Sequence, residues 1–171
     1  FGRDRSVRVR LDRSGPERAL FVTALPYVLV PDGGLDAADE RCRQEAATRG
    51  LDGGFLAALP ANGQSTASRF NLSGPPWVRD DGVVVMTGTD LARATATLVA
   101  PLENSPNILS PGGVHWTGNV GPGTGGSPCV SWTSTSASAG QGFAFSSAAE
   151  AFAGGGASCS ATVLRLLCLQ Q

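Results

Sequence analysis

The chain has 171 residues, of which 23 are Gly and 11 Pro, with 13 basic side chains, all Arg, against 14 acidic ones. That length suits one domain with a real core. A net charge of −1 argues against a dedicated nucleic-acid binder, which needs a concentrated positive field. No run approaches the roughly 18 apolar residues that span a bilayer, and no signal peptide opens the chain at Phe1, as expected of a segment that has lost its export signal or belongs to something longer. Abundant Ala, Gly and Arg without Lys reflects GC-rich coding and suits a bacterial source.

Residues 1–18 form an Arg-rich arm, in which Arg3, Arg5, Arg8, Arg10, Arg13 and Arg18 face Asp4, Asp12 and Glu17. The net is only about +3, so a solvated or strand-lining segment is expected rather than an anion site. Charged and apolar residues alternate there, as in an edge strand. Residues 18–23 and Tyr27–Val30 read as β, stopped by Pro31-Asp32-Gly33.

The next stretch carries the main helix, at about 35–50. Leu35, Ala38, Cys42 and Ala46 fall at spacings of three and four and make one apolar face. Asp39 with Arg43 and Glu45 with Arg49 are acid-before-base pairs four apart. Gly33-Gly34 opens the helix and Gly50 closes it as a left-handed cap. Little else has helical period, so its apolar face calls for a covering sheet.

Phe55–Leu59 is a short apolar run that periodicity cannot assign to strand or helix. Trp77-Val78 and Val83–Met86 flank Asp80-Asp81-Gly82 as a hairpin. Thr89–Ala92 caps a short helical turn before Thr95–Ala100. Residues 101–128 are loop-dominated, a length that marks a functional segment. Val130–Thr133 reads as a strand, and 134–156 as low-complexity Ser, Ala and Gly with Phe143 and Phe145 alternating. Thr162–Leu169 is the clearest strand and is expected in the middle of its sheet.

Four cysteines, Cys42, Cys129, Cys159 and Cys168, have neither zinc-ribbon nor redox spacing. An even number at long separations suits structural disulfides in an exported protein. Three pairings are open on spacing alone.

The residues so far carry a resemblance. Cys42 within a helix is followed by Ala46, Gly50-Leu51, Gly53, Phe55, Ala57 and Leu59; Trp116 with Gly118 comes later, then Cys129-Val130-Ser131-Trp132, Ala157-Ser158-Cys159 and a closing apolar run Val163–Gln170. In that order they resemble the endostatin-like branch of the C-type lectin-like fold. The resemblance covers about residues 19–169 and implies an α+β domain at 19–171 with mixed and antiparallel sheets, one main helix and long loops. It also implies nested disulfides, Cys42–Cys168 and Cys129–Cys159.

Catalysis finds little support. His115, the only imidazole, stands beside Trp116 without a nucleophile-elbow serine. Asp80, Asp81, Asp90 and Glu103 have no spacing that predicts a glycosidase-like pair. The sugar-binding calcium motifs of true C-type lectins are absent, and Glu103, Asn104 and Asn107 are three oxygen-bearing side chains where calcium needs six to eight oxygens. The N-terminal histidines behind zinc binding in animal endostatins are missing, as is their Arg-rich heparin surface.

The expectation is a non-catalytic extracellular recognition or adhesion module, part of a larger surface or fibre protein, with no cofactor, calcium at Glu103, Asn104 and Asn107 being the weak alternative, and with cell-surface glycan or protein as partner. Glu103, Asn104 and Asn107 would supply polar contacts, and His115 and Trp116 a stacking platform. Two rivals stand beside it: a fibre subunit self-associating through residues 1–18, and a hydrolase built on loop carboxylates.

Overall fold

The computed structural model describes residues 17–29, 33–95, 97–103, 113–118 and 121–171. Most of the 1–18 arm, and Asn104 and Asn107, lie outside these residues. The chain is α+β, and the described residues form two sheets, one long helix and two disulfides.

The first sheet has the order β2-β8-β1-β3-β4, built from β1 (Arg18–Val22), β2 (Phe55–Ala57), β3 (Trp77–Val78), β4 (Val84–Met86) and β8 (Leu167–Gln170). β1 runs parallel to β3 and antiparallel to β8. Its RALFV sequence has no polar alternation because both faces are covered. Ala19 and Phe21 join one core, while Leu20 and Val22 join another on the opposite face. β8 sorts in the same way, with Cys168 in the first core and Leu167 and Leu169 in the second.

The helix α1 spans Gly34–Thr48 and covers the first face. Ala38, Cys42 and Ala46 are buried on it, and Gly50 closes it at φ +68°. Cys42–Cys168 bolts it to β8, and Cys129–Cys159 ties the second sheet to its neighbouring turn. Both bonds match the pairing the resemblance implied. The Glu45–Arg49 pair forms at 2.6 Å, but Asp39 turns from Arg43 to Arg69, also at 2.6 Å. Arg43 pairs with Glu40 instead.

The second sheet, β5-β6-β7, comprises β5 (Val114–Gly118), β6 (Ser138–Phe143) and β7 (Gly155–Ser158), all antiparallel. Two of its strands arise from sequence that reads as low complexity. Gly and Ala in β6 allow close approach: a Cβ at Gly142 would overlap the Ala151 carbonyl and crowd the His115 ring.

Other expectations need correction. Val130–Thr133 is not a strand: Cys129, Val130, Ser131 and Trp132 are four consecutive left-handed residues, φ 50° to 69°. The disulfide holds one end of this turn, and the Trp132 indole, donating to Pro60 O at 2.7 Å, holds the other. Tyr27–Leu29 is irregular, with Tyr27 N–H donating to Leu164 O. The closing strand is confined to Leu167–Gln170, because residues 164–166 leave the first sheet to meet β5 through an Arg165 bridge. The short helix α2 (Gly88–Ala92) is capped by Thr87, not Thr89, in a reciprocal box with Asp90. The hairpin β3–β4 forms as read, turning at Gly82 with φ +80°.

Candidate functional site

The loop region expected to carry function is rooted on one residue. Ala144 N–H donates to Gly113 O and Glu103 N–H donates to Ala144 O, each at 2.9 Å. Glu103 and Gly113 are the described residues on either side of 104–112. Glu103 and Gly113 are therefore bonded to the same residue of the scaffold.

Ala144 is buried, and the residues on either side of it are Phe143 and Phe145. Their rings stack, with centroids 5.4 Å apart and planes 26° from parallel. Both are half-buried, and both lean on glycine: a Cβ at Gly154 would collide with Phe143, and one at Gly113 would crowd Phe145. β6 ends at Phe143, and the turn at residues 144–145 that follows it brings the Phe145 ring back beside Phe143. The alternation was visible in the sequence, but the Ser- and Gly-rich surroundings masked it as a strand signal.

Beneath this root lies a charged contact. Arg165 donates to Glu103 Oε2 at 2.6 Å and to Thr23 O at 3.3 Å, and is 9% exposed. Glu103 is therefore tied to the core by a charge-assisted bond before any ligand is considered. Nothing in the sequence pairs residues 62 positions apart, so Arg165 escaped the sequence reading.

His115 and Trp116 do not form a surface platform. Both are fully buried. Alternation on β5 sends them to opposite sides, Trp116 edge-on to Trp132 at 5.8 Å and His115 edge-on to Phe152 at 6.2 Å. The Trp116 indole donates to Tyr27 O at 3.2 Å. Neither ring nitrogen of His115 has a hydrogen-bond partner of good geometry. Burial and then the Arg165 cation push its pKa down to about 3, against a weaker opposing pull from the Ala151 carbonyl, so the ring is neutral at physiological pH.

The acidic side chains are each engaged separately. Asp80 meets Arg49 at 3.2 Å, Asp81 meets Arg79 at 2.9 Å, and Asp90 caps α2. Among the described residues no group of three or more His, Cys, Asp or Glu side chains is placed to hold a metal ion. Of the three weak calcium candidates, Glu103 is neutralised by Arg165, and Asn104 and Asn107 are outside the description. Zn²⁺ and calcium chemistry therefore gain no ligand set from these residues.

Arginine serves as the clamp for irregular chain throughout. Arg18 donates to Pro75 O at 2.8 Å and Asn71 O at 2.7 Å while lying 3.5 Å over the Trp77 ring. Arg79 donates to Pro101 O at 2.8 Å. A planar fork of five donors can satisfy several loop carbonyls at once, which an ammonium cannot do in the same geometry.

No family model matches the chain, and no curated protein is significantly similar to it.

Proposed function

We propose that this chain is a non-catalytic recognition module of the endostatin-like, C-type lectin-like kind, exported to an oxidising compartment, that takes a glycan or protein at the loop surface rooted on Ala144. The observation that carries the reading is the double anchorage of Glu103 and Gly113 to Ala144, beside the stacked Phe143–Phe145 pair. A rigid root under a variable loop is the usual arrangement of binding surfaces. Half-exposed aromatic rings add contact area at low entropic cost.

Three further features support it. The two disulfides link elements far apart in sequence, as suits an exported scaffold. No described helix is long and apolar enough to cross a membrane. The four loop and turn carboxylates weighed for hydrolysis are spent on separate partners.

The test is an array of immobilised glycans and extracellular proteins, probed with the wild type, with Phe145→Ser and with Asn104→Ala/Asn107→Ala. Specific signals that both variants lose, with unfolding temperatures kept, support the reading. Signals that both variants retain would place recognition elsewhere, and hydrolysis of an arrayed glycan would replace it with an enzyme.

A further inference from the structure

Asn62-Gly63 is the one Asn-Gly pair in the chain, and the recognition surface leaves it unused. It forms the tip of a tight turn. Gln64 N–H donates to Ala61 O at 2.9 Å, and Asn62 and Gly63 both lie in the left-handed region, at φ +53° and +78°. Positive φ at both central residues is the type I′ geometry that Asn-Gly favours. Asn62, Gly63 and Gln64 are exposed, and a Cβ added at Gly63 would meet open space.

An Asn-Gly pair is also chemically reactive, because the glycine has no side chain to hinder its own amide nitrogen. That nitrogen, once deprotonated by hydroxide, attacks the asparagine Cγ. The N–Cγ bond forms, the Cγ–Nδ2 bond breaks, and ammonia leaves with a proton taken from water. Water then opens the cyclic imide at either carbonyl, giving aspartate or isoaspartate. The net change is water consumed and ammonia released.

Here the attacking nitrogen is held. Gly63 N–H donates to Gly126 O and to Ser127 Oγ, each at 3.1 Å, and Asn62 N–H donates to Ser131 Oγ at 3.2 Å. The peptide plane that must turn for ring closure is thus bonded to 126–131, and a hydrogen-bonded proton is harder for hydroxide to remove. Those acceptors belong to the turn that Cys129–Cys159 and the Trp132 indole on Pro60 O hold in place.

We infer that Asn62 is a latent deamidation site, closed while the 126–131 turn is docked on Gly63 and opened when that turn is released. The change is one-way. Isoaspartate puts an extra methylene into the main chain between the Ala61–Gln64 and Gly63–Gly126 bonds, so a turn that has reacted to it cannot redock in the old register. Either product adds a negative charge at the junction. The site therefore converts release of the Cys129–Cys159 turn into a permanent change of surface charge, and the inference stands apart from the recognition reading above.

Incubation of the full chain at mildly alkaline pH, followed by tryptic mapping, tests it. Asn62 is the sole asparagine between Arg49 and Arg69, and fragment ions separate its conversion to acid from that of Gln64. The native chain should react about tenfold more slowly, or slower still, than the same chain reduced and unfolded in guanidinium chloride, the factor that two hydrogen bonds supply. Ser127→Ala/Ser131→Ala removes two of the three acceptors and should speed the native reaction about fivefold. Cys129→Ser/Cys159→Ser frees the turn and should bring the rate close to the unfolded one. Ser68→Ala loses a bond to Ser65 O without touching Asn62 or Gly63, and should react like wild type. Hydrogen exchange on the wild type adds a readout without mutation: the Gly63 amide should be protected although its residue is exposed. Should the cysteine variant lose its cooperative thermal transition, the serine variant and the Gly63 amide decide. A native chain that reacts as fast as the unfolded one, a serine variant at the wild-type rate, a Ser68→Ala variant that speeds the reaction equally, or an unprotected Gly63 amide would each overturn the inference.

Discussion

Asp39 and Arg69 meet in a 2.6 Å ion pair, and their remaining atoms occupy both outward backbone groups of Ala57. Asp39 Oδ1 accepts from Ala57 N–H at 2.8 Å, and Arg69 donates to Ala57 O at 2.7 Å. The pair thus stands where a neighbouring strand would stand. It also joins α1 to the loop that follows β2, since Arg69 reaches Leu59 O as well.

Breaking this pair from the Arg side is the first prediction. Arg69→Met leaves the Asp39 carboxylate in the core with only one donor, an uncompensated charge that costs about 3–5 kcal/mol. Burial already holds the Asp39 pKa above the ordinary aspartate value, against the downward pull of Arg69 and the Ala57 N–H. Removing Arg69 raises it further. A raised folded-state pKa means that the folded protein binds more protons than the unfolded one between the two values, so stability is full below the unfolded pKa and falls as pH rises. Urea unfolding of Arg69→Met should therefore lose more stability, relative to wild type, at pH 7 than at pH 4. A pH-independent difference would show that the carboxylate is not trapped charged.

The second prediction concerns the disulfides. On the chain-entropy account, a loop of 126 residues is worth about 5 kcal/mol and one of 30 residues about 3.6 kcal/mol. Cys42→Ala/Cys168→Ala should come close to its full value, because it joins a regular helix to a strand. Cys129→Ser/Cys159→Ser should cost less than its loop length implies, because release lets the left-handed residues relax. Denaturant midpoints measured at constant m-value decide the order. A full loss of about 3.6 kcal/mol for the Cys129–Cys159 pair would remove the strain argument.

How much of this was legible in the sequence depended on the range of the interaction. α1 was readable because Ala38, Cys42 and Ala46 repeat within one helix, and the β3–β4 hairpin because Asp81-Gly82 is a local turn signal. The pairing of cysteines came from the family resemblance, since spacing left three possibilities open. β6 and β7 were hidden because Ser, Ala and Gly serve there for close backbone approach, not for propensity. Val130 misled for a physical reason: a β-branched residue favours strands, but Cys129 and Trp132 on either side fix the backbone elsewhere. At the candidate site the loop and Glu103 were legible, whereas Arg165 and Ala144, which hold it, come from distant parts of the chain.

The third prediction tests that fixed backbone directly. Val130 is 62% exposed with φ 53°. The left-handed region costs an L-residue roughly 1–2 kcal/mol, and glycine escapes this at an entropic cost of about 0.5–1 kcal/mol. Val130→Gly should therefore stabilise the fold by about 0.5–1 kcal/mol, read as a higher urea midpoint. Val130→Ala keeps the Cβ and should leave the midpoint nearly unchanged. A destabilised glycine variant would mean that the valine side chain, despite its exposure, holds the turn in place.

The last prediction rests on His115, the only histidine in the chain. Its ring is fully buried beside Phe152, with only a poorly aligned contact to the Ala151 carbonyl, and its pKa is pushed down to about 3. The unfolded chain binds a proton there near pH 6.5, and the folded chain does not. A depressed folded-state pKa gives stability that is present above pH 6.5 and is lost as pH falls towards 3, at up to about 1.4 kcal/mol per pH unit for one proton. His115→Phe removes this term and should flatten the acid limb of the stability curve by about that slope, while carboxylate contributions remain in both proteins. At neutral pH the substitution should be close to neutral or stabilising, because it deletes two poorly satisfied polar atoms from the core. With a single imidazole, the ring signals in an NMR titration need no assignment: they should stay fixed from pH 8 to 5. Movement through pH 6.5 in the folded protein would show that water or a neighbouring group reaches the ring, and would replace a sealed core at β5 with an open one.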